Sequence, residues 1–132
     1  MATENMLAAH PQKPPYDLGT FARAIEESFH CAQDCLICAD ACLAENSADL
    51  LACIRTCQDC AEICQTTGTL LARPTLSNAL LQAQLKACLT ACSECAGECE
   101  RHAQHHEHCA ICAESCRSCE RICQSVHDLI SA

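Results

Sequence analysis

Residues 88–123 read CLTACSECAGECERHAQHHEHCAICAESCRSCERIC. Cysteine falls at Cys88, Cys92, Cys95 and Cys99, then at Cys109, Cys112, Cys116, Cys119 and Cys123, so the steps within each group are four or three residues. A strand would scatter such residues over two faces, whereas an α-helix gathers them on one stripe, the seam period of a helical bundle. Upstream the rhythm appears twice more, at Cys31, Cys35, Cys38, Cys42 and at Cys53, Cys57, Cys60, Cys64. Four stripes need one another to become buried. The expected fold is therefore all-α, an antiparallel four-helix bundle with a cysteine-lined core.

The breaks between groups set the helix ends. Asp17 or Thr20 opens the first helix, which runs to Glu45; the Asn46–Ser47 pair closes it and caps a second over residues 48–71. Pro74 marks the next turn, a third helix starts near Thr75 to Ser77 and reaches Ala103, and a histidine-rich corner leads into a fourth ending near Ile130. Residues 1–16, with Pro11, Pro14 and Pro15, read as a loose N-terminal tail or irregular wrap, leaving residues 17–132 as the bundle domain. Gln33, Asp34, Asp40, Arg55, Asp59, Glu62, Glu94, Glu98, Glu114, Arg117, Glu120 and Arg121 fall between the cysteines and read as solvated faces.

Composition agrees with one helical core. The 132 residues include only 24 Leu, Ile, Val and Phe, against 17 Cys, three Gly and a single Tyr. The formal charge of −9, with eight Lys plus Arg and no basic cluster, lacks the footprint of a nucleic-acid or anionic-membrane binder. The opening MATENMLAAHPQKPPYDLG lacks a basic segment followed by an apolar run, so no export signal is expected, and no stretch reads as a membrane span. A cytoplasmic location follows as an expectation. Thiols stay reduced there, so a cysteine-dense chain points to metal before disulfides.

Cysteine often serves singly as a small apolar residue. Seventeen on one seam are too many for that, since Leu, Ile and Ala fill space without oxidative liability. The Cys-x2-Cys pairs follow from the seam and lack the exposed dithiol that thioredoxin-like chemistry requires. Zinc and iron–sulfur clusters also use thiolates and remain alternatives. Charge favours a monovalent ion. One such ion on each of 17 thiolates neutralises the core, whereas four zinc ions leave it at −9, a prohibitive buried charge. Copper(I) is soft, prefers thiolate and accepts bridging at low coordination number. Many copper(I) ions, about one per cysteine, are expected, each displacing about one proton. Neutral thiols pack well enough for the bundle to fold empty and load later.

The two ends of the seam differ. One continues into Phe21, Leu71, Leu81, Leu85 and Ile130; the other reaches Glu45, Asn46, Asp49, His102, His105, His106 and His108. The four–three rhythm runs from Cys99 through His102 and His106 to Cys109, which places His102 and His106 at a polar mouth, with His108 reaching in across the turn. Imidazole holds copper(I) less avidly than thiolate and suits transient admission. His105 reads as a surface residue, His127 as a satisfied core histidine, and His30 and His10 as surface and tail.

The fourfold Cys-x3-Cys-x2-Cys-x3-Cys arrangement over residues 18–130 resembles the bacterial copper storage proteins, specifically their cytosolic branch. The resemblance implies four-helix bundles that hold many copper(I) ions internally and associate as homotetramers. It also implies a His-x3-His-x-His mouth, here His102, His106 and His108, where the exported branch uses methionines. Storage and the tetramer come from this resemblance alone. A chaperone passing copper to copper-accepting partners is the competing expectation, but one exposed cysteine pair would serve it. An iron–sulfur electron carrier or copper oxidase is the enzymatic alternative, and a non-enzymatic protein is expected.

Overall fold

The computed structural model describes residues 2–73, 75 and 77–132. Pro74, invoked above as a turn marker, lies outside them. Four long helices carry the cysteines: α2 (Leu18–Glu45), α3 (Leu51–Leu71), α4 (Asn78–Glu100) and α5 (Glu107–Ser131), preceded by a short helix α1 (Ala2–Ala9). No strand occurs among the described residues.

Local chemistry explains the boundaries. The Asp17 carboxylate accepts from the Thr20 amide at 3.1 Å and its hydroxyl at 2.8 Å, satisfying the free donors of the first turn. Asn46 ends α2 in the left-handed conformation, at φ 55°, one of the few positions where a non-glycine residue is tolerated there. Ser47 then caps a 3-10 turn, Ala48–Leu50, by accepting from the Asp49 amide, and that turn runs directly into α3. Helix α4 stops at Glu100, three residues short of the expected Ala103.

Helix α2 packs on α3, α3 on α4, α4 on α5 and α5 on α2, and the short connections make successive helices antiparallel. The ring closes around the cysteine stripes. All 17 cysteines are buried, and none forms a disulfide. Beyond them the end opposite the α2–α3 and α4–α5 connections is filled by Phe21, Leu71, Leu81, Leu85 and Ile130, as the sequence leads one to expect, and by Val126. Close packing of α2 on α3 depends on Gly68, where an added Cβ would lie 2.9 Å from the Phe29 ring.

The N-terminal stretch departs from the expectation of a loose tail. Ala2–Ala9 is helical, packs on α2 and buries Leu7. The prolines at 11, 14 and 15 end this helix rather than preventing it, because they follow it. Tyr16 then stacks on Phe21, ring centroids 5.9 Å apart.

Candidate metal centre

The seam rhythm places sulfur against sulfur between neighbouring helices. Cys53 and Cys99 lie 3.6 Å apart at Sγ, Cys64 and Cys92 also 3.6 Å, Cys35 and Cys116 3.7 Å, and Cys42 and Cys109 3.9 Å. Diagonal helices meet across the axis too, with Cys35–Cys95 at 4.0 Å and Cys57–Cys112 at 3.9 Å. The four stripes therefore form one column of sulfur.

Groups of four ligand atoms within 4.8 Å of one another recur along it: Cys31, Cys64, Cys92, Cys119; Cys31, Cys35, Cys60, Cys116; Cys35, Cys95, Cys112, Cys116; and Cys38, Cys53, Cys57, Cys99. These groups overlap. Cys31, Cys35 and Cys116 each belong to two of them, and Cys38 recurs in a group at the mouth. A set of separate tetrahedral zinc sites needs four cysteines of its own at each ion. Shared membership is the geometry of bridging thiolates. Cys42 and Cys109, at the loop end of the column, have their thiols pushed up, first by burial and then by the neighbouring Cys38 and Cys53 sulfurs, which favours the neutral form while the column is empty.

Among the histidines, His108 joins the sulfurs. Its Nδ1 lies 3.6 Å from Cys38 Sγ, 3.6 Å from Cys109 Sγ and 4.0 Å from Cys42 Sγ, completing the group Cys38, Cys42, His108, Cys109. Its Nε2–H donates to Glu45 Oε2 at 2.9 Å, which leaves the Nδ1 lone pair facing the thiols. The same carboxylate oxygen accepts from His106 Nδ1–H at 2.8 Å. Burial pulls the His108 pKa down, but Cys38 and Glu45 outweigh it and the net shift is upward. His108 and then His106 hold the Glu45 carboxyl below its usual range.

His102 and His106 stand differently from the expectation. The helical rhythm does not continue through the corner, because α4 stops at Glu100 and residues 101–105 form turns. His102 Nε2 is held by Glu98 at 2.9 Å, and Glu98, expected on a solvated face, is half-buried beneath it. His106 occupies the N-cap position of α5, and its side chain reaches Glu45 instead of capping the helix. His105 is exposed, and His30 faces Asp34 on the surface. His127 is half-buried on an outer hollow beside Gln82 and Lys86 rather than in the core, because the α5 seam passes through Val126 and Ile130, one residue before it and three after it.

Sequence reading named Glu45, three residues after Cys42, at the polar end but gave it no role, and it missed two further seam residues: Ser28 lies three before Cys31 and Thr67 three after Cys64, so the rhythm itself points to both. Ser28 and Thr67 are fully buried. No helix of the described residues is long and apolar enough to cross a membrane.

This architecture has close parallels. The copper storage protein Ccsp from Streptomyces lividans, in a structure loaded with 10 copper equivalents, superposes with a TM-score of 0.92 at 46% identity, covering 96% of this chain and 98% of that one. A structure of a cytosolic copper storage protein from Streptomyces lividans loaded with five coppers matches with a TM-score of 0.80 at 49% identity, covering 86% of this chain and 94% of that one. No curated protein matches significantly. The sequence profile of the copper storage proteins matches residues 19–128, nearly the whole bundle, and the chain belongs to that family.

Proposed function

We propose that the chain stores copper(I) in the cytosol, about one ion per cysteine, on thiolates that bridge along the bundle axis. The observation that carries this reading is the overlap of the sulfur groups: Cys31, Cys35, Cys38 and Cys116 each serve two candidate sites. Divalent ions in separate sites would leave much of the thiolate charge uncompensated in a buried column, whereas monovalent ions shared between thiolates cancel it. Residues 17–132 form the copper-binding unit and the chemistry is binding rather than catalysis. With all 17 cysteines buried, capacity is favoured over the exposed pair that a chaperone would offer.

Metal enters and leaves at the loop end. His108 presents Nδ1 to Cys38, Cys42 and Cys109 and receives copper first, Glu45 orients it, His106 stands beside it on the same carboxylate, and His102, held by Glu98, is a further imidazole of the same corner. Molecules that deliver or accept copper dock there. The outer surface of α2 and the start of α3 expose Leu36, Leu43 and Leu51, each more than half accessible, which supports association of bundles into a homotetramer. Sedimentation at micromolar concentration tests that assembly, and a monomer would remove it.

Anaerobic titration with copper(I), followed by metal and thiol quantitation, tests the storage reading. The expected product is colourless in the visible and saturates near 17 copper ions per chain. Saturation at four ions or fewer, or a brown chromophore, would replace it with zinc-like or iron–sulfur binding.

A further inference from the structure

Ser28 occupies a seam position at the closed end. It lies three residues before Cys31, it is fully buried, and its Oγ sits 3.9 Å from Cys119 Sγ and 3.8 Å from Cys123 Sγ. Those two sulfurs are 3.9 Å apart, and Cys123 is 3.9 Å from Cys88. Helix α5 carries five cysteines where α2, α3 and α4 carry four each, and Cys123, the last of the five, is one of the two sulfurs that Ser28 faces.

A second buried hydroxyl near this end behaves differently. Thr67 donates to the Ile63 carbonyl at 2.7 Å and accepts from Gln84 Nε2 at 3.1 Å, so its hydrogen bonding is spent within and between helices. The partners of the Ser28 hydroxyl are thiols. In the interior of a loaded column a thiolate would have copper on both sides, but beyond Cys123 come Val126, Leu85 and Phe21, which offer no cation. The last thiolates are therefore the least neutralised, and a buried anion without a partner is costly.

We infer that Ser28 caps the copper column: in the loaded protein its O–H donates to the Cys119 or Cys123 thiolate and, in place of a further copper ion, stabilises the terminal site formed with Cys88. The inference rests on the storage reading above. It assigns a polar partner to the deepest copper, where the family of cysteines ends and the apolar plug begins. No bond is made or broken apart from the thiol protons already lost on metallation.

Four proteins decide it, each checked for helix content and thiol number: the native chain, Ser28→Ala, Ser28→Cys and, as a control on the exposed face of α5, Ser125→Ala. Each is saturated anaerobically and competed with a chromogenic copper(I) chelator. Ser28→Ala retains 17 thiols and should give up its last copper at about tenfold lower chelator concentration, the effect of losing a charge-assisted hydrogen bond. Ser28→Cys extends the column and should raise saturation by about one copper per chain. Native-like retention in Ser28→Ala would overturn the cap, and unchanged saturation in Ser28→Cys would overturn its place on the column. A native chain that fails to approach one copper per thiol would instead defeat the storage reading itself.

Discussion

At one end of the sulfur column Phe21, Leu71, Leu81, Leu85 and Val126 are exposed by 2% or less, while at the other the side chains of Glu45 and His108 keep 38% and 24% of their surface open beside Cys42 and Cys109. The first arrangement excludes water and anchors four helices by dispersion and apolar burial. The second places a Lewis base at the boundary between solvent and thiol. If copper passes through the mouth as proposed, while the plug supplies stability, substitutions at the two ends should fail in different assays.

The largest effect is expected at the plug. Leu85→Ala removes a fully buried side chain and should cost about 2–5 kcal/mol in urea unfolding of the empty protein, while copper capacity per folded chain is kept. Loss of capacity with unchanged stability would dissolve the distinction between the ends. Next comes His108→Ala, expected to slow anaerobic loading about tenfold to a hundredfold with saturation within about one copper of native. Equal loading rates would reduce His108 to a bystander of the thiols.

Glu45→Gln sharpens the same point through the carboxylate that holds His108 and His106. The amide cannot hold both imidazoles as an anion does, so loading should slow by a smaller factor, about severalfold, and His105→Ala should leave it unchanged. A rate for Glu45→Gln as low as that of His108→Ala would make the carboxylate itself the first ligand.

The smallest effect belongs to the outer surface away from both ends. Arg117 grips Glu100 through Nε and Nη2 at 3.0 and 2.9 Å, but Glu100 is 48% exposed, so Arg117→Ala should cost under about 1 kcal/mol and less in salt. Arg117 holds the Glu100 carboxyl below its usual range. A depressed folded pKa contributes stability above the unfolded value and loses it as pH falls through the folded one. The native and Arg117→Ala unfolding curves should therefore converge on acidification below about pH 4.

The cysteine seam was legible because its period matches a physical period. Steps of four and three mean one helical stripe wherever they occur, and every cysteine so assigned is buried on the axis. The rhythm misled where the helix stopped: carried from Cys99 through His102, it assumed helix across residues 101–105, which are turns. His108 was legible from the other side, four residues before Cys112 on the same face of α5. Ser28 and Thr67 were obscured by residue type rather than position, since a polar side chain on a seam reads as an interruption until its partners are seen; Glu45 was legible at the polar end, but not its hold on His106 and His108. Helix α1 was obscured by the prolines after it, and its docking through Leu7 is a tertiary contact that no local pattern announces.

The central claim is that singly charged ions cancel thiolates one for one along a shared axis. Proton release during anaerobic copper(I) loading, followed in weakly buffered solution by pH-stat together with copper bound, tests it most directly. About one proton per copper is expected, continuing to near 17 of each per chain. Release of three or four protons per ion, with saturation after only a few ions, would contradict it.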